Sequence, residues 1–212
     1  MVALATLAVA FVALTIAVTA GVFATLDLQV AQTMHSIWQE PLHVLFQAIA
    51  ELGGLELTTF LTIVLALYLL RGGFRSDALV AVAFIAAEGL EILYKYNLHH
   101  PGPPFALAHA DGPSLTNLLG HPGLGNSFPS GHMVRAVVVY GLLAFVVRRL
   151  APSRLARLLA LPVAILIVVA LAFDRLYLDV HWESDVIGGV LLGGIALVAA
   201  TVWLDRPVKP DN

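Results

Sequence analysis

The 212-residue sequence contains no cysteine, which excludes disulfide staples and thiolate metal sites and leaves the redox compartment open. Charge is also scarce. Asp, Glu, Lys and Arg make up 12% of the chain, about half the share a soluble domain carries, whereas 59% of residues are hydrophobic. A water-facing surface cannot be covered from that supply, so hydrocarbon must cover the rest. The net charge of −3 is too small, and of the wrong sign, for nucleic-acid binding. Lysine is nearly missing, with two residues against nine arginines, a bias that hints at a GC-rich bacterial source. There is no internal repeat and no low-complexity segment.

What is present is apolar and long. Mean hydropathy is +0.90, and apolar stretches recur at roughly residues 4–26, 57–70, 78–94, 133–147, 155–172 and 186–204. A helix needs about 20 residues to cross the hydrocarbon core, so the length holds six transmembrane helices and no second large domain. The expected fold is all-α, a polytopic six-helix membrane bundle formed by a single domain over residues 1–212. The first stretch is expected to remain a helix, because no Lys or Arg precedes it to make the basic segment of a signal peptide. Between the first two stretches, Val30, Met34, Ile37 and Trp38, then Leu42, Leu45, Phe46 and Ile49, recur at helical spacing. They predict short amphipathic helices in the first outer loop, broken at Pro41, serving as a lipid entry ramp or as a structural connector.

Charge placement orients the bundle. Arg71 and Arg75 follow the second stretch, Arg148, Arg149, Arg154 and Arg157 the fourth, and Arg206 and Lys209 the sixth. Alternate links share a side, so the positive-inside rule places both termini in the cytoplasm of a bacterial inner membrane. His35, His43, His99, His100, His109, His121, His132 and His181 all fall on or near the outer side, where the chemistry is expected.

Three clusters sit where outer links meet helices: Lys95 with the Pro- and Gly-rich run to residue 104, Ser127-Phe-Pro-Ser-Gly-His132, and Asp174-Arg175 with His181 and Asp185. Pro129 cannot continue a helix from upstream, and Ser130 is a favoured N-cap. The N–H groups of Ser130, Gly131 and His132 are then expected to open a helix toward an anion, with Gly131 allowing close approach. His132 stands at the rim as a proton donor or acceptor. His181 and Asp185 are four apart, so the carboxylate can hold one ring nitrogen and leave the other to attack. Arg175 offers bidentate contacts to phosphate, and Lys95 adds a point charge.

This ordered set resembles the type-2 phosphatidic acid phosphatase superfamily, whose pattern runs K-x6-R-P, then P-S-G-H, then S-R-x5-H-x3-D on a six-helix bundle. Lys95 matches the start, Pro129-Ser130-Gly131-His132 match the middle in full, and Arg175, His181 and Asp185 match the end with spacings intact. The resemblance implies a phosphohistidine mechanism. His181 attacks phosphorus, Asp185 orients it, and His132 protonates the leaving oxygen and then activates water. Lys95, Ser130, Gly131 and Arg175 hold the phosphoryl oxygens. No metal and no cofactor is implied. The implied partners are the bilayer and a lipid-phosphate substrate: phosphatidic acid, phosphatidylglycerol phosphate, or a polyprenyl phosphate or pyrophosphate.

Two positions depart from the pattern. Gly102 stands where the first motif has arginine, and Asp174 where the third has serine. Arg135, one turn below His132, is a candidate to supply the lost guanidinium; it is equally a candidate partner for Glu88 or Glu91, which share a helical face with Lys95. Asp174 is a candidate partner for Arg175 or Lys95. These departures keep two other readings open: a non-catalytic lipid-binding or transport module, and a lipid phosphotransferase. The spacings of His99, His100, His109 and His121 match no regular zinc pattern. Gly188-Gly189 and Gly193-Gly194 have small-xxx-small spacing, suited to packing within the chain or to a homodimer face.

Overall fold

In the computed structural model, residues 2–104 and 126–205 are described. They form eight α-helices and no strand: α1 Val2–Thr19, α2 Ala24–Ile37, α3 Glu40–Ala50, α4 Leu55–Arg71, α5 Val80–Asn97, α6 Gly131–Leu150, α7 Arg154–Tyr177 and α8 Glu183–Leu204. Each apolar stretch is helical over most of its length, and two boundaries differ from expectation.

The first stretch does not run through to residue 26. It stops at Thr19, because Gly21 adopts a left-handed φ of 70°. The Gly21 N–H then donates to the Val18 carbonyl and the Val22 N–H to the Ala17 carbonyl, both at 3.0 Å, a Schellman closure that turns the chain into α2. Pro41 is not the break in the following segment. The chain leaves helix at Trp38 and Gln39, and Pro41 lies in the first turn of α3, where its missing N–H has no partner to lose.

By length and apolarity, Val2–Thr19, Glu40–Arg71, Arg154–Tyr177 and Glu183–Leu204 can cross a membrane. Their outer faces leave side chains such as Ile16, Phe60, Ile63, Leu158 and Leu166 exposed, which only lipid can cover favourably. α5 and α6 carry the interior charges Glu88, Glu91, Lys95 and Arg135. α6 is the central post. It packs against α4, α5, α7 and α8, and it buries Met133, Val134, Ala136, Val138, Val139 and Leu142.

The two ends of the bundle differ chemically. At one end Arg149 donates to Asp77 at 3.3 Å and to the Leu204 carbonyl at 2.6 Å, tying the α4–α5 link, the α6 terminus and the α8 terminus together. The opposite end gathers the three sequence clusters.

Candidate active site

Ser130, in extended conformation, is the N-cap of α6, and the peptide joining Phe128 to Pro129 is cis. The Ser130 N–H does not point at a ligand, as the sequence suggested. It donates to the backbone carbonyl of Asp185 at 3.0 Å, which pins the start of α6 to the start of α8. The hydroxyl makes no cap bond and is buried without a partner among the described residues. A buried hydroxyl in that state is an unspent donor. The first N–H groups of α6 after it, on Gly131 and His132, have no upstream carbonyl within the helix to bond.

Close helix packing makes this junction possible. A Cβ built on Gly189 lies 2.5 Å from the Ser130 carbonyl oxygen and 2.6 Å from Met133 Cβ. One on Gly188 lies 2.5 Å from the Phe128 ring, and one on Gly193 lies 2.9 Å from the Val134 carbonyl. The glycine stripe of α8 therefore packs against α6 and its entry loop, within the chain.

In the third cluster, His181 precedes the helix and Asp185 lies in its first turn. Asp185 Oδ2 accepts the Trp182 N–H at 2.8 Å and faces His181 Nδ1 at 3.3 Å. That contact fixes the tautomer with Nδ1 protonated and leaves Nε2 as the nitrogen able to attack. Burial lowers the His181 pKa from its ordinary value; the hydrogen bond and charge of Asp185 oppose the shift, and Lys95 and Arg175 add to it. The ring is thus neutral at physiological pH.

Each cation meets a carboxylate. Lys95 Nζ lies 2.6 Å from Glu91 Oε1. Arg175, fully buried, donates from Nε and Nη2 to Asp174 Oδ2 at 2.8 and 2.6 Å, so the acid that replaces the motif's serine acts as its neighbour's clamp. Arg135 faces the bundle interior. It donates to Glu88 at 3.1 Å and to the Gly53 carbonyl at 2.8 Å, and its Nη2 lies 3.4 Å from His132 Nδ1. The ion pair, one of its two expected roles, is formed. The Glu91 carboxylate meanwhile sits against the start of α6: a Cβ on Gly131 falls 2.6 Å from Glu91 Oε1. An acid already occupies the approach to the helix N-terminus.

The first motif's loop is sewn to the other two. Asn126 accepts the His100 N–H at 2.9 Å and donates to the Lys95 carbonyl at 2.8 Å, while Trp182 Nε1 donates to the Pro101 carbonyl at 2.7 Å. Gly102 is not forced by crowding, since a Cβ there meets only Ser127 Cβ at 3.7 Å and the Val180 carbonyl at 3.8 Å. His109 and His121 lie outside the described residues. Among those described, no three His, Asp or Glu side chains are grouped to hold a metal ion.

Sequence reasoning missed the support from α2. Asp27, buried, accepts the Ser184 N–H at 2.9 Å and its hydroxyl at 2.8 Å, capping α8 from outside. Burial raises its pKa, against the lowering effect of those two bonds. His35 Nδ1 lies 3.0 Å from Asp179, which holds a left-handed φ of 55° in the loop before His181. The usable signal was a lone acid between Leu26 and Leu28 in an otherwise apolar run.

These features define an all-helical membrane protein whose bundle end joins a carboxylate-held histidine to a helix N-terminus and to buried cations. The chain belongs to the PAP2 superfamily, which it matches over residues 77–209, from the start of α5 through α8. Over 84 residues it is 36% identical to phosphatidylglycerophosphatase B of Bacillus subtilis (strain 168), a stretch covering 39% of this chain and 41% of that one. The matched stretch is therefore less than half of that relative's length. The fold superposes with a TM-score of 0.82, at 23% identity and over 100% of both chains, on the crystal structure of a transmembrane PAP2-type phosphatidylglycerolphosphate phosphatase from Bacillus subtilis.

Proposed function

We propose that the protein is a lipid-phosphate phosphatase that works through a phosphohistidine on the outer side of the membrane, with six crossings and both termini in the cytoplasm. The carrying observation is the His181–Asp185 pair at 3.3 Å, locked to the N-terminus of α6 by the bond from Ser130 to the Asp185 carbonyl. In the first step His181 Nε2 bonds to phosphorus as the bond to the lipid oxygen breaks, and His132 delivers a proton to that oxygen. Water then attacks phosphorus, its proton passes to His132, the N–P bond breaks and inorganic phosphate leaves. The Ser130 hydroxyl, the first N–H groups of α6, Lys95 and Arg175 stabilise the charge that builds on the equatorial oxygens. Asp185 stabilises the imidazolium character that His181 gains.

The relatives favour a glycerolipid phosphate of the phosphatidylglycerol phosphate kind as substrate, and no metal enters the scheme. The test is phosphate release by detergent-purified protein, with EDTA present, from phosphatidylglycerol phosphate, phosphatidic acid and a polyprenyl pyrophosphate. Release that His181→Ala abolishes supports the reading. Folded wild-type protein that releases phosphate from none of the three overturns it in favour of a lipid-binding module, and transfer to an added acceptor lipid without free phosphate overturns it in favour of a phosphotransferase.

A further inference from the structure

Asp185 has a second histidine. On the side of the carboxylate away from His181, Oδ1 faces His100 Nε2 at 3.4 Å. Both atoms are shielded from solvent, and neither has a hydrogen-bond partner among the described residues. A carboxylate oxygen buried beside an imidazole nitrogen is stable only when that nitrogen carries a proton, because two lone pairs facing each other away from water repel.

His100 is also held more firmly than a loop histidine requires. Its N–H donates to Asn126 Oδ1 at 2.9 Å. Its carbonyl accepts from the Ser127 N–H at 2.7 Å and the Ser127 hydroxyl at 3.0 Å. Its ring stands edge-on to Phe128, with centroids 6.3 Å apart. Phe128 lies two residues before Ser130, so the second motif's own loop sets where the His100 ring points.

From this geometry we infer that His100 is a positioning residue, holding Asp185 from the oxygen opposite His181 and so setting both the orientation and the basicity of the nucleophile. The inference rests on the reading of His181 as nucleophile. The other charged groups around the trio are Asp27 from α2, Lys95 from α5, His132 from α6 and Arg175 from α7. None of these is altered by a substitution at residue 100.

The expected signs follow from the charge on Asp185. With a donor on each oxygen, the carboxylate divides its hold between two rings. Removing His100 concentrates that hold on His181, which favours the protonated nucleophile and raises its titration midpoint. Neutral and protonated forms of His100 predict the same direction.

The experiment is histidine-labelled NMR titration of the full chain in detergent, run beside phosphate-release kinetics, for wild type, His100→Ala, His100→Gln and His100→Ala in an Asp185→Asn background. His100→Ala is expected to raise the His181 midpoint and to lower kcat about ten-fold, within the range coupled neighbours show, with KM little changed. His100→Gln, whose amide can donate in place of Nε2, is expected to recover most of kcat. In the Asp185→Asn background, loss of His100 is expected to add nothing.

An unchanged His181 midpoint in folded His100→Ala protein overturns the inference. So does a raised KM at constant kcat, which is the mark of direct phosphate contact, and so does a full-sized effect in the Asp185→Asn background. If wild type hydrolyses none of the lipids, the phosphatase reading falls. The NMR midpoints still decide whether His100 acts on His181 through Asp185.

Discussion

Gly189→Ala tests how tightly the site depends on one helix contact. The added methyl falls 2.5 Å from the Ser130 carbonyl oxygen, and ordinary contact begins at 3.4 Å, so backbone must give by about 0.9 Å. Neither side yields cheaply, because the obstacle is a main-chain oxygen and the neighbouring Met133 Cβ rather than a flexible side-chain end. Overpacking of this kind costs about 1–3 kcal/mol. Alanine's better helix propensity returns about 0.5–1 kcal/mol, leaving net destabilisation. Activity should fall further than stability. The junction that opens holds Ser130 against Asp185, and a shift of about 1 Å in reacting groups costs about a hundred-fold in rate. Gly194→Ala is the matched control, since its methyl meets only Leu7 at 3.6 Å. It gains the propensity term alone and should be slightly more stable and fully active. Thermal unfolding in detergent and phosphate release, measured on both variants, decide the matter. Equal stability of the two variants, or a fully active Gly189→Ala, refutes the reasoning.

Arg135→Met should destabilise the fold by about 3–5 kcal/mol by stranding Glu88, whereas the Glu88→Gln, Arg135→Met pair should recover most of it, as chemical denaturation would show. Glu91→Gln removes the negative charge held against Lys95 and the start of α6 without changing the side chain's size, so it should lower KM for the lipid phosphate and sharpen inhibition by inorganic phosphate; unchanged values for both would reject Glu91 as an electrostatic competitor at that approach. Because burial holds His181 below its ordinary 6.5, the nucleophile stays neutral as pH falls past that value. The acid limb of kcat/KM should therefore have its midpoint below 6.5, and a midpoint above it would contradict the burial argument.

The helices were readable from hydropathy because lipid demands long apolar runs, and the motifs were readable because their spacing is local. His181 and Asp185 lie four apart on the chain and meet in space. What distant segments contribute was not readable. Glu88 and Glu91 share a helical face with Lys95, but only packing assigns Glu91 to Lys95 and Glu88 to Arg135. Ser130 looked like an open cap because nothing in its neighbourhood announces the Asp185 carbonyl. Asp27 reaches Ser184 across 157 positions, a distance over which no periodicity speaks. Gly21 was visible as a residue, while its left-handed turn was masked by apolar sequence on both sides.

The Arg135–Glu88 pair also bears on how the chain enters the bilayer. Alone, α6 would carry a guanidinium into hydrocarbon, at about 2.5–3.5 kcal/mol on insertion scales, and α5 would carry Glu88 and Glu91. Side by side, Glu88, Glu91, Lys95 and Arg135 sum to zero charge, so in the proposed six-crossing topology the two helices would enter as a neutral pair. In that topology, insertion of α5 should be complete only once α6 arrives. A substitution at Glu88 should register first as protein lost during biogenesis, before any slow enzyme is seen.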